Sequence, residues 1–522
     1  MQIHRSAFGR PSSRALLALT AATALLFALA AAPTSAEARH DPSTATWTQP
    51  NGDEQGTRHV GGPIDSRSVS RLTPAWTAPI VGNAARFSGA YASTPVVVDG
   101  VVYSQDLDSN VYAIDLKTGR TLWTTMYTDP SNGPTGVAVA DGMVYANTES
   151  FAFALDARTG REKWRHTLVR NDAEGIDMAP GVHDGVVYVS TVPGNNNTYY
   201  AGNGQGVLWA LDGRTGATKW KWDTVPSSLW GNPGVNSGGG LWYPPSFDDH
   251  GGVYIDVANP GPFIGTAAQP WGSSRPGPDL YTNSLVKLDA KTGRMLWYNQ
   301  VLPHDIYDWD LQNSPILTTV HGRPVVIATG KLGIAYEFDQ RTGALIWKTV
   351  LGQHNGHDDD NLAAMKGQFD KLPTLPAVVS PGVLGGEIAP GAVDGDTLYV
   401  SATEFPITWL DQQTPDFSSG GPAYGEIIAV DLASGRIKWQ HPLSTSAYGG
   451  TTVANDLVFT TTEDGTVLAL NSRTGATAWQ ATLPTSTVSS LAIVGDTLVT
   501  AAGWPQAADQ KAEFVAYRLT GN

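Results

Sequence analysis

Along most of this chain, apolar positions run four or five together, stop at an acid, and resume beyond a glycine as an alternation that ends on tryptophan. The stop is a nine-residue pattern, Asp-x-x-Thr/Ser-Gly-x-x-x-Trp. It runs from Asp115 to Trp123, Asp156 to Trp164, Asp212 to Trp220, Asp289 to Trp297, Asp339 to Trp347 and Asp431 to Trp439, with a seventh copy from Asn471 to Trp479. Runs such as Val111-Tyr112-Ala113-Ile114 and Val467-Leu468-Ala469-Leu470 lead into it. The pattern predicts strand, tight turn, strand. The glycine supplies the positive φ of a bulged hairpin loop, and Asp or Asn bonds the turn's own amides. The tryptophan is a large apolar plate at a fixed offset, suited to packing between neighbouring repeats.

A second alternation precedes most copies, as in Pro95-Val96-Val97-Val98-Asp99-Gly100-Val101-Val102-Tyr103 and from Pro180 to Tyr188. Two more strands joined at an Asp-Gly turn bring each unit to about four. Four-stranded antiparallel sheets repeated in this way are propeller blades, so the predicted fold is an all-β, eight-bladed β-propeller, with seven blades as the alternative. The eighth blade is split: Leu491 to Val499 and Phe514 to Leu519 lack the turn motif, and Leu72-Thr73-Pro74-Ala75-Trp76 supplies the missing outer strand. Pairing the two ends in one blade leaves no free edge. The repeat makes residues 72–522 one domain despite their length, with residues 37–71 as an N-terminal extension.

Residues 1–36 carry Arg5, Arg10 and Arg14 ahead of an apolar run from Ala15 to Ala32 and small residues suited to cleavage after Ala36 or Ala38, the form of a secretory signal peptide, with an N-terminal membrane anchor as the alternative. A secreted, extracellular protein is therefore expected, with no membrane span after cleavage. Losing those three Arg and no acid moves the net charge from −15 to −18, which argues against nucleic acid as a partner. The chain has no Cys, which excludes structural disulfides and a covalently attached haem.

Successive motif glycines are 41, 56, 77, 50, 92 and 40 residues apart, whereas a bare blade needs about 40. The surplus falls at Gly194 to Gly206, Asn259 to Asn283 and Gly352 to Gly386, with a smaller insertion at Glu404 to Gly425. Such insertions gather on one face, where binding is expected. Within this middle region Gly238-Gly239-Gly240-Leu241-Trp242, Asn259-Pro260, His304-Asp305-Ile306-Tyr307-Asp308-Trp309-Asp310 and Gly330-Lys331 bring carboxylates, an amide, a lysine and aromatics to strand ends. Oxygen donors from Asn259, Asp308 and Asp310 suit a hard cation such as Ca²⁺, and Asp308 and Asp310 share a face if their segment is extended. As structure alone, Asp308 and Asp310 are turn residues and Trp242 is one more packing tryptophan. His304 and Asp305 order their loop, and His354 to Asp360 form a solvated acidic loop.

At these residues the chain resembles the pyrroloquinoline quinone (PQQ)-dependent alcohol and glucose dehydrogenases, which are eight-bladed propellers. The resemblance implies that Trp242 lies under the planar quinone, that Asn259 is a Ca²⁺ ligand, that Asp308 is the catalytic base and that Lys331 contacts the quinone oxygens. The Asp308-x-Asp310 form is similar to glucose dehydrogenases and to lanthanide-using methanol dehydrogenases, so it implies a lanthanide as the alternative metal, with Asp308 and Asp310 among the ligands. The chain departs from the family where Ala92 stands for a Glu, where Gly194-Asn195-Asn196-Asn197-Thr198 replaces a Glu-bearing loop, and in lacking a quinone-binding Arg and a vicinal cysteine pair. Two functions follow as expectations. One is a secreted PQQ-dependent dehydrogenase oxidising an alcohol or sugar hydroxyl and passing electrons to an external acceptor. The other is a non-catalytic PQQ-repeat propeller acting as an extracellular binding or scaffold protein.

Overall fold

A computed structural model describes residues 46–83, 88–194 and 202–521, all within one compact unit. Asn195 to Thr198, the loop expected to replace a carboxylate ligand, lie outside the described residues. The class is all-β, as expected. Eight sheets follow one another at residues 96–125, 138–167, 181–223, 246–300, 316–350, 392–443, 452–482 and 492–519, each of four antiparallel strands, with His59–Val60 added as a fifth, parallel strand to the sheet at 452–482. Only three strands of the eighth come from the C-terminal end. The fourth is Leu72–Pro79, which pairs antiparallel with Glu513–Leu519, Leu72 opposite Leu519.

The repeat turn forms as its chemistry dictates. In the first copy Asp115 O accepts Gly119 N at 2.8 Å, Asp115 Oδ1 accepts Thr118 N at 2.8 Å, and Gly119 sits at φ +73. The strand pairing shifts by a residue between Ala113 and Ile114, the bulge that the glycine permits. The tryptophan then crosses to the next sheet. A Cβ on Gly160 would lie 2.7 Å from the Trp123 ring, and Trp123 Nε1 donates to Ala157 O at 3.0 Å. Trp76 treats Gly119 the same way, with its Nε1 donating to Leu116 O at 2.8 Å. Trp76 is thus the motif tryptophan that the eighth sheet lacks.

Residues 47–60, expected as part of an extension ahead of the repeats, are woven into them. Their hydrogen bonds visit the first strands of the sheets in order. Trp47 pairs with Val97, Val139 N donates to Thr48 O at 3.0 Å, and Gln49 brackets Val182 with bonds of 2.9 and 3.0 Å. Phe247 N, Leu317 N, Val393 N and Val453 N then donate to Glu54 O, Gln55 O, Thr57 O and Arg58 O at 2.8–2.9 Å. Arg58, fully buried, closes the sequence by donating from Nη2 to Leu491 O at 3.2 Å in the eighth sheet. Burial lowers its pKa to about 10, and carbonyls of Pro50 and Thr451 receive its other N–H groups at 2.8 and 2.7 Å. This segment is a collar, and the bonds that tie it to the sheets are long-range.

The expected insertions add short accessory pairings, Val192–Pro193 with Glu174–Gly175, Ser237–Gly238 with Pro260–Gly261, and Ala377–Val379 with Ile407–Trp409. The last carries the α-helix Asp360–Met365. Among the described residues no helix is long and apolar enough to cross a membrane.

Candidate active site

Residues from three separate stretches meet at Lys331. Its Nζ donates to Asp308 Oδ2 at 2.9 Å and stands 2.6 Å from Asp310 Oδ2. The backbone arranges this meeting: Lys331 N donates to Asp310 O at 2.9 Å, and Leu311 bridges Gly330. A side chain on Gly330 would collide with the Asp310 carbonyl, so this approach requires glycine. Asn259 joins through its amide, whose N–H donates to Asp310 Oδ1 at 2.7 Å, while its own Nδ2 reaches Pro260 O at 3.2 Å. Asn259 O in turn accepts Gly239 N at 3.0 Å, tying in the glycine-rich turn that presents Trp242. Lys331 Nζ lies 6.0 Å from the centroid of the Trp242 ring, within cation–π range.

All five residues singled out from the sequence therefore converge. The expected route differs in one respect. Asp308 and Asp310 do not share a face through strand alternation, because Asp308 has φ +64 and its loop is not extended. They converge because both reach one ammonium group.

The electrostatics are those of a dry site. Asp308, Asp310, Asn259 and Lys331 are all buried. Asp308 Oδ1 has no hydrogen-bond partner, and Asp310 Oδ2 faces only the Lys331 ammonium. Burial pushes the Asp308 carboxyl well above the ordinary carboxylate range, with Asp310 adding to the rise and Lys331 opposing it. Trp242 Nε1 is also buried without a partner.

The insertion before the sixth sheet lies over this loop. Asn361 Oδ1 accepts Ile306 N at 2.8 Å, Asp360 Oδ2 accepts the Tyr307 hydroxyl at 2.6 Å, and Pro381 O accepts Trp309 Nε1 at 2.8 Å. His354 and His357 pair with Asp358 and Asp360 at 2.6 and 2.7 Å, which spends them on ordering the insertion. Among the described residues no three His, Cys, Asp or Glu side chains are placed to hold a metal ion together. Ala92 lines a small cavity of about 30 Å³ with Tyr243, Pro244 and Tyr448.

Sequence reasoning missed the residues beneath the loop. Asp305, expected to order it, does so with Asn283 and Arg275, the latter paired in turn with Asp279, none of them singled out. An Arg and an Asp four apart inside the 259–283 insertion were the available signal.

Two family descriptions match the chain. The beta-propeller domain of glucose/ethanol/alcohol dehydrogenases matches residues 171–353, the stretch that holds Trp242, Asn259, Asp308, Asp310 and Lys331. The description for the outer membrane protein assembly factor BamB matches residues 75–191 and 331–521, more than half of the chain. The chain belongs to the PQQ-repeat family, and residues 171–353 are similar to the PQQ-dependent alcohol dehydrogenases. Quinohemoprotein alcohol dehydrogenase from Comamonas testosteroni is 27% identical, over 77% of this chain and 64% of that protein. Quinoprotein alcohol dehydrogenase PedH from Pseudomonas putida is 27% identical, over 83% of this chain and 82% of that protein. The chain thus spans less than two thirds of the C. testosteroni relative. The solved structure of that relative superposes with a TM-score of 0.77 at 25% identity, covering 92% of this chain and 81% of the other. BamB from Moraxella catarrhalis shares the fold at a TM-score of 0.52 and 15% identity, over 86% of this chain and 98% of the other. The β-propeller class expected from the repeat is the class of these relatives.

Proposed function

We propose that this chain is a PQQ-dependent dehydrogenase that oxidises the hydroxyl of an alcohol or sugar and passes electrons to an external acceptor. One observation carries the reading: the buried Asp308–Lys331–Asp310 cluster, beside Asn259 and Trp242, lies wholly within the segment that matches the dehydrogenase description. A scaffold protein has no use for two carboxylates and a lysine buried together, since such groups cost desolvation energy.

The residues present fit both groups that the family implies. Two buried carboxylates, Asp308 with its Oδ1 unbonded and Asp310 with its Oδ2 held only by the Lys331 ammonium, form with the Asn259 amide a hard-oxygen donor set suited to Ca²⁺ or a lanthanide. Trp242, facing the Lys331 ammonium, offers a plate for a planar ring. When bound, PQQ supplies the electron sink and the metal ion polarises its carbonyl. The protein's own part is acid–base and electrostatic. Asp308, through Oδ1, takes the hydroxyl proton of the substrate. Lys331 holds Asp308 Oδ2 and places positive charge where negative charge develops on an oxygen. The water-poor site strengthens both effects.

The eight sheets are read here as eight blades of one ring over residues 72–522. The ordered path of the collar, the split eighth sheet and the docking of Trp76 on Gly119 support that reading. Residues 1–36 act as a secretory signal, on the strength of their charged start and apolar run.

The test is spectral titration with PQQ in the presence of Ca²⁺ or a lanthanide, followed by dye-linked turnover of alcohols and sugars. Saturable PQQ binding with turnover is expected. A second reading, an extracellular scaffold, is favoured by the BamB match on either side of the site and by Ala92 in place of a family Glu. Failure to bind PQQ at any metal concentration decides for it.

A further inference from the structure

Asp308 sits at φ +64, in the left-handed region that a residue other than glycine keeps only when its surroundings hold it there. The carboxylate of Asp305 grips the chain on both sides of that residue. Its Oδ1 accepts Tyr307 N at 2.8 Å and its Oδ2 accepts Trp309 N at 2.7 Å. Two amides pinned by one carboxylate fix the peptide that enters Tyr307 and the peptide that leaves Asp308. They therefore set the direction in which the Asp308 side chain leaves the loop. Asn283 Nδ2 adds a third bond to Asp305 Oδ2 at 3.2 Å, and its Oδ1 takes Leu311 N at 2.9 Å on the far side of Asp310.

Asp305 is itself held from behind. Arg275 Nη2 donates to Asp305 O at 2.7 Å and to Phe263 O at 2.7 Å. Its Nη1 is anchored on Asp279, whose carboxylate also faces His304 Nδ1 at 3.2 Å. Asp305, Asn283, Arg275, Asp279 and His304 are each exposed by 1% or less. Burying so many polar groups without giving them a reacting partner is expensive unless they fix something.

We propose that Asp305 is a positioning residue: it imposes the left-handed turn at Asp308 that aims the Asp308 carboxylate at Lys331, with Arg275, Asp279 and His304 as its rigid backing. The inference rests on the reading of Asp308 as the proton acceptor. Asp305 touches neither the substrate nor Lys331, and it acts only through the geometry of Asp308.

Asp305→Asn keeps one acceptor oxygen, and Asp305→Ala keeps none. With PQQ and Ca²⁺ saturating, kcat is expected to fall about 10-fold in the first and about 100-fold in the second, the scale set by a misplacement of roughly 1 Å. KM and the PQQ binding constant stay within about threefold of wild type, because the lost interaction concerns orientation. Full activity in Asp305→Ala overturns the proposal, and so does a loss of turnover that merely follows a parallel loss of PQQ binding and melting temperature. Should Asp305→Ala not fold, Asp305→Asn carries the same criteria. If wild type oxidises no alcohol or sugar, the dehydrogenase reading has failed, and Asp305 is judged by hydrogen exchange. Amides in 305–311 are then expected to exchange at least about 100-fold faster in the variant while Lys331 N, held by Asp310 O at 2.9 Å, stays protected. Unchanged exchange in 305–311 overturns it.

Discussion

At Asp339, in a repeat turn, the carboxylate accepts Thr342 N at 2.9 Å and Thr342 Oγ1 at 2.7 Å, both within three residues. Those bonds hold its pKa below the ordinary range. Asp308 belongs to the same residue type and ends up in the opposite state. It is buried, one oxygen has no partner, its cation comes from 23 residues away, and its pKa is pushed up. The rim aspartates are made by a sequence of nine residues and recur wherever that sequence does. The site aspartate is made by tertiary structure and occurs once. A local hydrogen bond stabilises the charged form, whereas an incompletely satisfied buried carboxylate has proton affinity to spare, which the base role proposed for Asp308 requires.

The contrast breaks most visibly at Asp308 itself. Asp308→Asn keeps the size and one oxygen, so PQQ binding survives, while turnover falls by roughly 10² to 10⁴. Dye-linked assays at saturating PQQ and metal measure this, and equal rates would remove Asp308 from the mechanism. Next in size is the collar. Arg58→Ala strands several buried carbonyls at once, and a destabilisation of roughly 3 kcal/mol or more is expected in denaturant melts. A midpoint within error of wild type would mean that the collar is ornamental.

Asp177 sharpens the comparison through pH. Burial, with Glu149 nearby, raises its pKa to about 7 from an ordinary value of 3.8. Below the unfolded value both states are protonated and its contribution is complete. The contribution is lost as pH rises through about 7, where the folded protein must ionise a buried group. The melting temperature should therefore drop between about pH 4 and about pH 7, and Asp177→Asn should flatten that drop. An unchanged slope would place the effect elsewhere. Smallest of all is Asp339→Ala at the rim, where losing a local turn bond costs about 1 kcal/mol and leaves kcat untouched.

The rim was legible because each of its rules is local. The glycine with positive φ, the acid that caps its own turn and the tryptophan at a fixed offset are all written in one stretch, and even the orphan Trp76 could be matched to its place. The convergence of Asn259, Asp308, Asp310 and Lys331 was legible through resemblance, since no periodicity links residues so far apart. Two features were not. The collar of residues 47–60 has no strand-like alternation, and its bonds go to backbone groups whose neighbours in space are hundreds of residues away. The Arg275–Asp279 pair looks in sequence like any surface ion pair, and only burial shows that it supports Asp305.

The collar also bears on the order in which the molecule can be finished. Arg58 leaves the ribosome 433 residues ahead of Leu491, the acceptor that completes its bonding. The earliest-made part of the described chain is therefore the last to find its place, because its seats are distributed over sheets that do not yet exist. Assembly of such a molecule is slow to conclude, since distant contacts are rewarded only after long loops have closed. The same geometry works in reverse once the seats are filled. A sheet that peels away must also break its bonds to this stitched segment, so the finished protein comes apart reluctantly.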